Sequence, residues 1–323
     1  MSAIHARNAS TSTSPIMSHS LLIVGSIAFD DLEMPSGIFK DVLGGAATYS
    51  SLAASLLAPT RVVGIIGSDF PEATLVAMRE RGIDTAGVER VAGKTFRWHG
   101  RYSEDLASRV SLDTQLNVFA DFKPKIPAAY KASPFVLLGN IHPTLQVDVV
   151  SQVDKPKLVA ADTMNFWISG EPTALGEMLK KIDLLVINDE EARELSGIHN
   201  LCKAAADIRK RGPSMLIVKR GEYGALLFDD AGMFFVPAYP LEDVRDPTGA
   251  GDSFAGGLMG YLARAGNASP HALRRAMFFA SALGSFCVED IGPKRLLGLA
   301  KADLARRIEL FAKLVDYGGE LAL

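Results

Sequence analysis

Residues 246–257 combine residue types that suit the binding of a phosphate group. They read Asp-Pro-Thr-Gly-Ala-Gly-Asp-Ser-Phe-Ala-Gly-Gly, and apolar side chains then recur at helical spacing at positions 254, 258, 261 and 262. A helix is therefore predicted to begin in this segment, with its unpaired N–H groups and the positive end of its dipole at Gly249, Ala250 and Gly251. Because glycines leave the backbone open to an anion, these three residues form a candidate phosphate cradle.

Asp252 follows the cradle directly, in the first predicted turn of the helix. We expect its carboxylate to stay ionised at neutral pH, because the N-terminal end of a helix favours negative charge. There it can accept the proton of an attacking hydroxyl while the cradle N–H groups stabilise a phosphoryl group in transfer. The alternative is an ordinary glycine-rich helix start, but Asp246 and Thr248 just upstream favour the catalytic interpretation.

The elements that must position this segment alternate between short apolar runs and helical patterns. Runs typical of strands buried on both faces lie at 21–24, 61–66, 135–138, 157–160, 184–187 and 215–218. Helical patterns lie at 46–57, 72–81, 176–181, 189–195 and 201–211, and the tail 252–314 is nearly all helical in pattern. This alternation predicts an α/β fold of three layers, a largely parallel sheet covered by helices on both faces.

Two segments break that rhythm. Residues 32–42 contain Pro35 and Gly37, and residues 95–118 alternate aromatic or apolar with polar side chains, a pattern that is typical of antiparallel strands. We interpret them together as a small β-structure that stands off the main sheet. The alternative is a surface hairpin without a function.

Charge and cysteine content exclude several classes of protein. The chain has 34 basic and 37 acidic residues, a net charge of -3, which gives no reason to expect nucleic acid or a membrane surface as a partner. Two cysteines exclude a disulfide framework and a four-cysteine zinc site, and they suit the reducing cytoplasm. No apolar run approaches the roughly 20 residues of a membrane-spanning helix.

The chain is predicted to hold one folded domain, over residues 21–323. Residues 1–20 are rich in Ser and Thr and lack the apolar core of a secretory signal, so we expect a disordered extension there, with Met17 as an alternative start.

Residues 246–252 resemble the second signature of the PfkB/ribokinase family of carbohydrate kinases, Asp-x-Thr-Gly-Ala-Gly-Asp. The resemblance implies a three-layer, doubly wound, mostly parallel sheet with a small β-lid, and an active site beneath the lid. It implies a kinase that uses ATP and Mg²⁺ to phosphorylate a hydroxyl of a small polyol, with Asp252 as the base and Gly249, Ala250 and Gly251 as the anion hole. It also suggests a homodimer formed through the lid.

Three other places share the resemblance, which extends over about residues 21–300. Asp30 stands where the family binds substrate hydroxyls, and a carboxylate can accept two hydroxyl protons from adjacent carbons. Gly44 and Gly45 resemble the first signature, whose glycines let the backbone approach the sugar. Asn188 and Glu191 match an Asn-x-x-Glu element that the family places near magnesium and its waters, a role that oxygen ligands suit. From the sequence alone, a helix N-cap is the better interpretation of Asn188.

The sequence gives weaker signals for the residues that would bind the nucleotide. The turn at 219–224 resembles one near the nucleotide phosphates, so Lys219 and Gly221 are candidate nucleotide contacts together with Thr248; the alternative is a charged surface turn. Asn165 follows a predicted strand, where open α/β sheets collect ligand-binding residues, and is a candidate substrate contact.

The acceptor remains open between a sugar, a nucleoside and a cyclitol. Tyr49 stands where the family's first signature usually has Asn, which argues against ribose or fructose and points weakly to inositol kinases. The lid aromatics Phe96, Trp98 and Tyr102 suit stacking on a nucleobase, or else a two-chain interface. A non-catalytic nucleotide- or sugar-binding protein is the alternative from another class, and Asp252 argues against it.

Overall fold

A nine-stranded sheet and a separate four-stranded sheet organise residues 19–316, the part of the chain that the computed structural model describes. The strands are β1 (Leu21–Val24), β2 (Ala28–Met34), β3 (Gly37–Gly44), β4 (Thr60–Gly67), β5 (Ile83–Val91), β6 (Phe96–Tyr102), β7 (Arg109–Gln115), β8 (Phe135–Leu138), β9 (Leu158–Ala161), β10 (Leu184–Asn188), β11 (Met215–Lys219), β12 (Ala225–Asp229) and β13 (Gly232–Val236). The helices are α1 (Ala46–Ala54), α2 (Glu72–Glu80), α3 (Pro143–Gln152), α4 (Asn165–Gly170), α5 (Pro172–Leu179), α6 (Asp189–Ser196), α7 (Leu201–Lys210), α8 (Ala250–Ala265), α9 (Pro270–Cys287), α10 (Lys294–Leu297) and α11 (Lys301–Val315).

The large sheet is doubly wound around β1. Its strand order is β13-β12-β11-β10-β9-β8-β1-β4-β5, and every pair from β11 to β5 is parallel. Because the chain proceeds from β1 to one side and later returns to the other, the strand order reverses beside β1. Open α/β sheets bind ligands at the carboxyl ends of the strands at such a switch point.

Alternating side chains on each buried strand define the three layers. On β1, Leu21 and Ile23 belong to the apolar core that includes α1, α8 and α9, whereas Leu22 and Val24 belong to the core on the opposite face. All four are fully buried, and each stabilises the fold by roughly 1.5–3 kcal/mol. The predicted three-layer α/β architecture is confirmed.

Most predicted elements are present, but α3 and α4 were not predicted, α1 ends at Ala54 rather than at residue 57, and further differences lie at the sheet edges and at one helix start. All six predicted strands form, with ends that agree to within one residue. β5, β12 and β13 were not predicted; exposed residues interrupt the apolar pattern of β5 and β13, whereas β12 is largely buried. The helix predicted at 176–181 begins earlier, because Pro172 supplies its first turn, a position where the missing N–H of proline costs nothing.

The small sheet has the order β3-β2-β6-β7, and it comes from the two segments that broke the sequence pattern. It is larger than expected, because β2 begins at Ala28 rather than at residue 32. One face packs on an apolar cluster of Leu32, Met34, Val42, Tyr102 and Ile291. Asp30 therefore lies on the small sheet itself.

The predicted extension at 1–20 lies almost wholly outside the described residues. Within the described part, the His19 N–H donates to the Ala263 carbonyl at 3.1 Å. No helix between residues 19 and 316 is long and apolar enough to span a bilayer.

Candidate active site

The phosphate cradle forms the start of α8, as the sequence predicts. Gly249 is the N-cap, with φ 75° and ψ 1°, in the left-handed region that glycine adopts without steric cost. A Cβ at this position would lie within 3.0 Å of three ring atoms of Tyr49. Glycine is therefore needed at 249 both for its backbone conformation and for the space that the Tyr49 ring occupies.

Lys219 brings a positive charge to the cradle. A Cβ on Gly251 would lie 2.9 Å from Lys219 Nζ, and this nitrogen is 3.6 Å from Asp162 Oδ2. Burial works against the charged form, but the carboxylates of Asp162, Glu191 and Asp252 outweigh it and raise the pKa of Lys219 above its usual value. The ammonium group is thus charged at neutral pH and stands beside the N–H groups that would bind a phosphate.

Asp252 is buried in the first turn of α8. Its burial, together with the nearby Asp162 carboxylate, raises its pKa to about 7 even though Lys219 and Arg109 oppose the shift. Contrary to the expectation that Asp252 stays ionised, its carboxyl group is only partly ionised near neutral pH, because desolvation outweighs the helix dipole. A carboxylate with a pKa near the working pH suits a general base.

Asp30 lies against Gly44, the first of the two glycines of the first signature. A Cβ on Gly44 would overlap the Asp30 carboxylate, and one on Gly45, whose φ is 94°, would overlap the Ser26 carbonyl. Burial, and then the carboxylates of Asp246 and Asp252, raise the pKa of Asp30 to about 8. The absence of a side chain at 44 thus makes room for the buried Asp30 carboxylate, and Asp252 lies near enough to raise the pKa of Asp30.

Asn188 and Glu191 form a capping box at the start of α6. The Glu191 N–H donates to Asn188 Oδ1 at 2.7 Å, and the Asn188 N–H donates to Glu191 Oε2 at 2.8 Å. The N-cap interpretation of Asn188 is thereby confirmed. Burial, and then the charge of Asp162, raise the pKa of Glu191 to about 7, which shows that carboxylates are crowded at this point.

The crowded carboxylates near Glu191 suit a divalent cation that is bound through its waters better than one that protein side chains coordinate directly. Between residues 19 and 316, no three His, Cys, Asp or Glu side chains converge so that they could hold a metal ion by themselves. The oxygens of Asp162, Asn188 and Glu191 suit Mg²⁺, which keeps several of its waters when it binds to proteins.

Three other predicted contacts have different surroundings. The Asn165 amide donates to Glu194 on α6, and no hydrogen bond joins it to Asp30 or Asp252. The Thr248 hydroxyl lies 2.7 Å from the Tyr102 hydroxyl, so it contacts the small sheet. Gly221 begins a 3₁₀ turn after β11 in a left-handed conformation, with φ 55° and open space around it.

Sequence reasoning assigned no role in the site to Asp162 or Asp246, although Asp246 begins the motif at 246–252. Asp162 follows β9, and the same strand-end rule that singled out Asn165 could have found it. Asp246 accepts from the N–H groups of Thr248 at 2.8 Å and Gly292 at 2.7 Å, so it fixes the loop before the cradle. Arg109 on β7 also lies near the site, and nothing in its local sequence marks it.

The fold and this site define a small-molecule phosphotransferase, and comparison with known families agrees. The family model for the pfkB family carbohydrate kinases matches residues 22–297. The chain belongs to that family, and it is a sugar or nucleoside kinase.

Relatives with an assigned activity include nucleoside and cyclitol kinases. A cytidine kinase of Thermococcus kodakarensis is 30% identical over 249 residues, which cover 75% of this chain and 88% of the relative. An inositol 3-kinase of Oryza sativa subsp. japonica is 28% identical over 298 residues, 85% of this chain and 71% of the relative. Among solved structures, the Methanocaldococcus jannaschii nucleoside kinase superposes with a TM-score of 0.73 at 18% identity, covering 90% of this chain and 98% of its own, which supports the fold.

Proposed function

We propose that this protein transfers the γ-phosphoryl group of ATP to a hydroxyl of a nucleoside. The observation that carries the choice of acceptor is Trp98, which pairs in register with Asp30 on the neighbouring strand of the small sheet. In-register side chains on neighbouring strands project to the same face, so Trp98 lies on the same face of the small sheet as the carboxylate that would bind the acceptor. A ribose bound by Asp30 would therefore have an aromatic surface next to it on which a base can stack.

The indole is held in place for such a role. Trp98 Nε1 donates to Ser111 Oγ at 3.0 Å, and the ring lies across Gly100, where a Cβ would overlap it. Tyr102, two strand residues after Gly100 on the same face, reaches Thr248 of the cradle segment. This face of the small sheet is thus the one turned toward α8, and the half-buried Trp98 ring belongs to it.

In the proposed reaction, the ATP phosphates lie along the cradle and their charge is neutralised by Lys219. Asp30 accepts hydrogen bonds from acceptor hydroxyls, and Asp252 takes the proton of the attacking hydroxyl. Asp162, Asn188 and Glu191 would hold Mg²⁺ through its waters, and the ion would supply neutralisation of the phosphate charge.

A second candidate acceptor is inositol. Tyr49 stands at the position where the family's first signature usually has an asparagine, which argues against ribose or fructose as the acceptor. The inositol 3-kinase of Oryza sativa subsp. japonica is also among the relatives. A cyclitol offers adjacent hydroxyls to Asp30 but no base for Trp98, so the two acceptors make different demands on the indole.

The test is ADP release with MgATP across cytidine, inosine, ribose and myo-inositol, with Asp252→Asn in parallel. We expect turnover with a nucleoside and a loss of at least about 100-fold in kcat for Asp252→Asn. Trp98→Ala should raise the nucleoside KM while leaving the KM for ATP unchanged. Turnover of myo-inositol alone would replace the nucleoside proposal, and near-normal turnover by Asp252→Asn would remove Asp252 as the base.

A further inference from the structure

Arg109 begins β7 and points toward the cradle. It pairs across the antiparallel ladder with Tyr102, whose hydroxyl lies 2.7 Å from Thr248 Oγ1. Side chains directly opposite each other on neighbouring strands project to the same face of a sheet. Arg109 therefore leaves the small sheet on the face that covers the start of α8.

The charge of Arg109 acts on both halves of the site. It lowers the pKa of Asp30, on the acceptor side, and of Asp162 and Glu191, on the phosphate side. It also lowers the pKa of Asp252. Because Coulomb interactions weaken with distance, a charge that acts on the carboxylates of both sides lies within reach of both, near the path of a phosphoryl group that passes from ATP to the acceptor.

Within residues 19–316, the Arg109 guanidinium forms no ion pair, whereas those of Arg97 and Arg101 on the same small sheet do. Arg97 binds Asp41 at 2.6 Å and Arg101 binds Glu33 at 2.5 Å. Arg109 is exposed, and no side chain between residues 19 and 316 forms a hydrogen bond or an ion pair with its guanidinium. A planar guanidinium with five donors suits phosphoryl oxygens, which it can bind through two parallel hydrogen bonds.

We propose that Arg109 binds the transferring phosphoryl group, on the side opposite Lys219. In this step the bond from the γ-phosphorus to the bridging oxygen of ADP breaks while the bond to the acceptor oxygen forms, and the hydroxyl proton passes to Asp252. Arg109 donates hydrogen bonds to the equatorial oxygens and keeps its own protons. The inference rests on one part of the proposed function, the transfer of a phosphoryl group from ATP. It does not depend on which acceptor is used.

The experiment compares Arg109→Gln and Arg109→Lys with Arg101→Gln, a matched change on the outer face of the same sheet. We expect Arg109→Gln to lower kcat by about 100-fold or more, as loss of one transition-state donor does, with both KM values within threefold. Arg109→Lys should recover part of kcat, and Arg101→Gln should stay within twofold of the wild type. The acidic limb of the pH profile should move to higher pH in Arg109→Gln, since Asp252 loses a neighbouring positive charge.

Other outcomes separate this inference from the choice of acceptor. If kcat is retained in Arg109→Gln and only the acceptor KM rises, Arg109 binds the acceptor and the proposal is overturned. If the wild type uses a sugar or inositol instead of a nucleoside, the nucleoside proposal fails and the same kcat comparison on that acceptor decides the role of Arg109. If no acceptor on the panel is used, ATP hydrolysis by water decides it in the same way. Should Arg109→Gln fail to fold, as judged by circular dichroism, Arg109→Lys decides the question.

Discussion

Replacing Gly249 by alanine tests the packing beneath the cradle. The backbone at 249 lies in the left-handed region, where a non-glycine residue costs about 1–2 kcal/mol. The new Cβ would also overlap the Tyr49 ring, and forced overpacking in a buried site costs about 1–3 kcal/mol. The two effects together predict that Gly249→Ala lowers the free energy of unfolding by roughly 2–5 kcal/mol.

Gly197 provides the control, because it has nearly the same conformation without the overlap. Its φ and ψ are 70° and 14°, and a Cβ there meets nothing within 4 Å. Gly197→Ala should therefore cost only the conformational part, about 1–2 kcal/mol. The assay is urea unfolding of both variants under identical conditions, with the difference between them assigned to the Tyr49 contact.

A double variant sharpens the test. Tyr49→Leu removes the ring, so in the Gly249→Ala background it should recover the overlap cost as a coupling energy of about 1–3 kcal/mol. If Gly249→Ala proves no more costly than Gly197→Ala, the Tyr49 ring does not pack beneath the cradle as described.

Two further predictions concern the buried ionisable groups. The value of kcat/KM for the acceptor should rise as the pH increases through about 7 and 8, because Asp252 and Asp30 must lose the protons that burial and neighbouring carboxylates favour. Initial rates from about pH 5.5 to 9.5 measure this, and a flat profile over that whole range would contradict the raised pKa values of Asp252 and Asp30. Tyr49→Phe should leave the free energy of unfolding unchanged or raise it by about 1–2 kcal/mol, because the buried Tyr49 hydroxyl has no hydrogen-bond partner between residues 19 and 316. The matched variant Tyr130→Phe loses a hydrogen bond to the Asp84 carbonyl, so urea unfolding should detect a decrease of about 1 kcal/mol in its free energy of unfolding. Equal decreases in both variants would show that the Tyr49 hydroxyl is paired.

Local patterns were enough to predict the layers of the fold. The run at 21–24 predicts a strand because all four residues are apolar, and β1 indeed buries them on both faces. The start of α8 was predictable for a similar reason, since glycines and helical periodicity lie within a dozen residues of each other. Both features depend on neighbours in the sequence.

Properties that depend on distant residues could not be read in the same way. The pKa of Asp252 is set by burial and by Asp162, which lies 90 positions earlier in the chain, so the sequence suggested a fully ionised group. The placement of Arg109 depends on the ladder between β6 and β7, whose register shifts at a bulge between His99 and Gly100. A single-residue change in that register would turn Arg109 to the other face.

The division of residues between the two sheets has an evolutionary consequence. Asp30 and Trp98, which are proposed to bind the acceptor, lie on β2 and β6 of the small sheet, whereas Lys219 and Asp252 belong to β11 and α8. Mutations in β2 and β6 can therefore change the acceptor while the proposed phosphate-binding residues, Arg109 on β7 among them, stay the same. A lineage that keeps its large sheet and β7 and diversifies β2 and β6 acquires new acceptors without having to reinvent the chemistry.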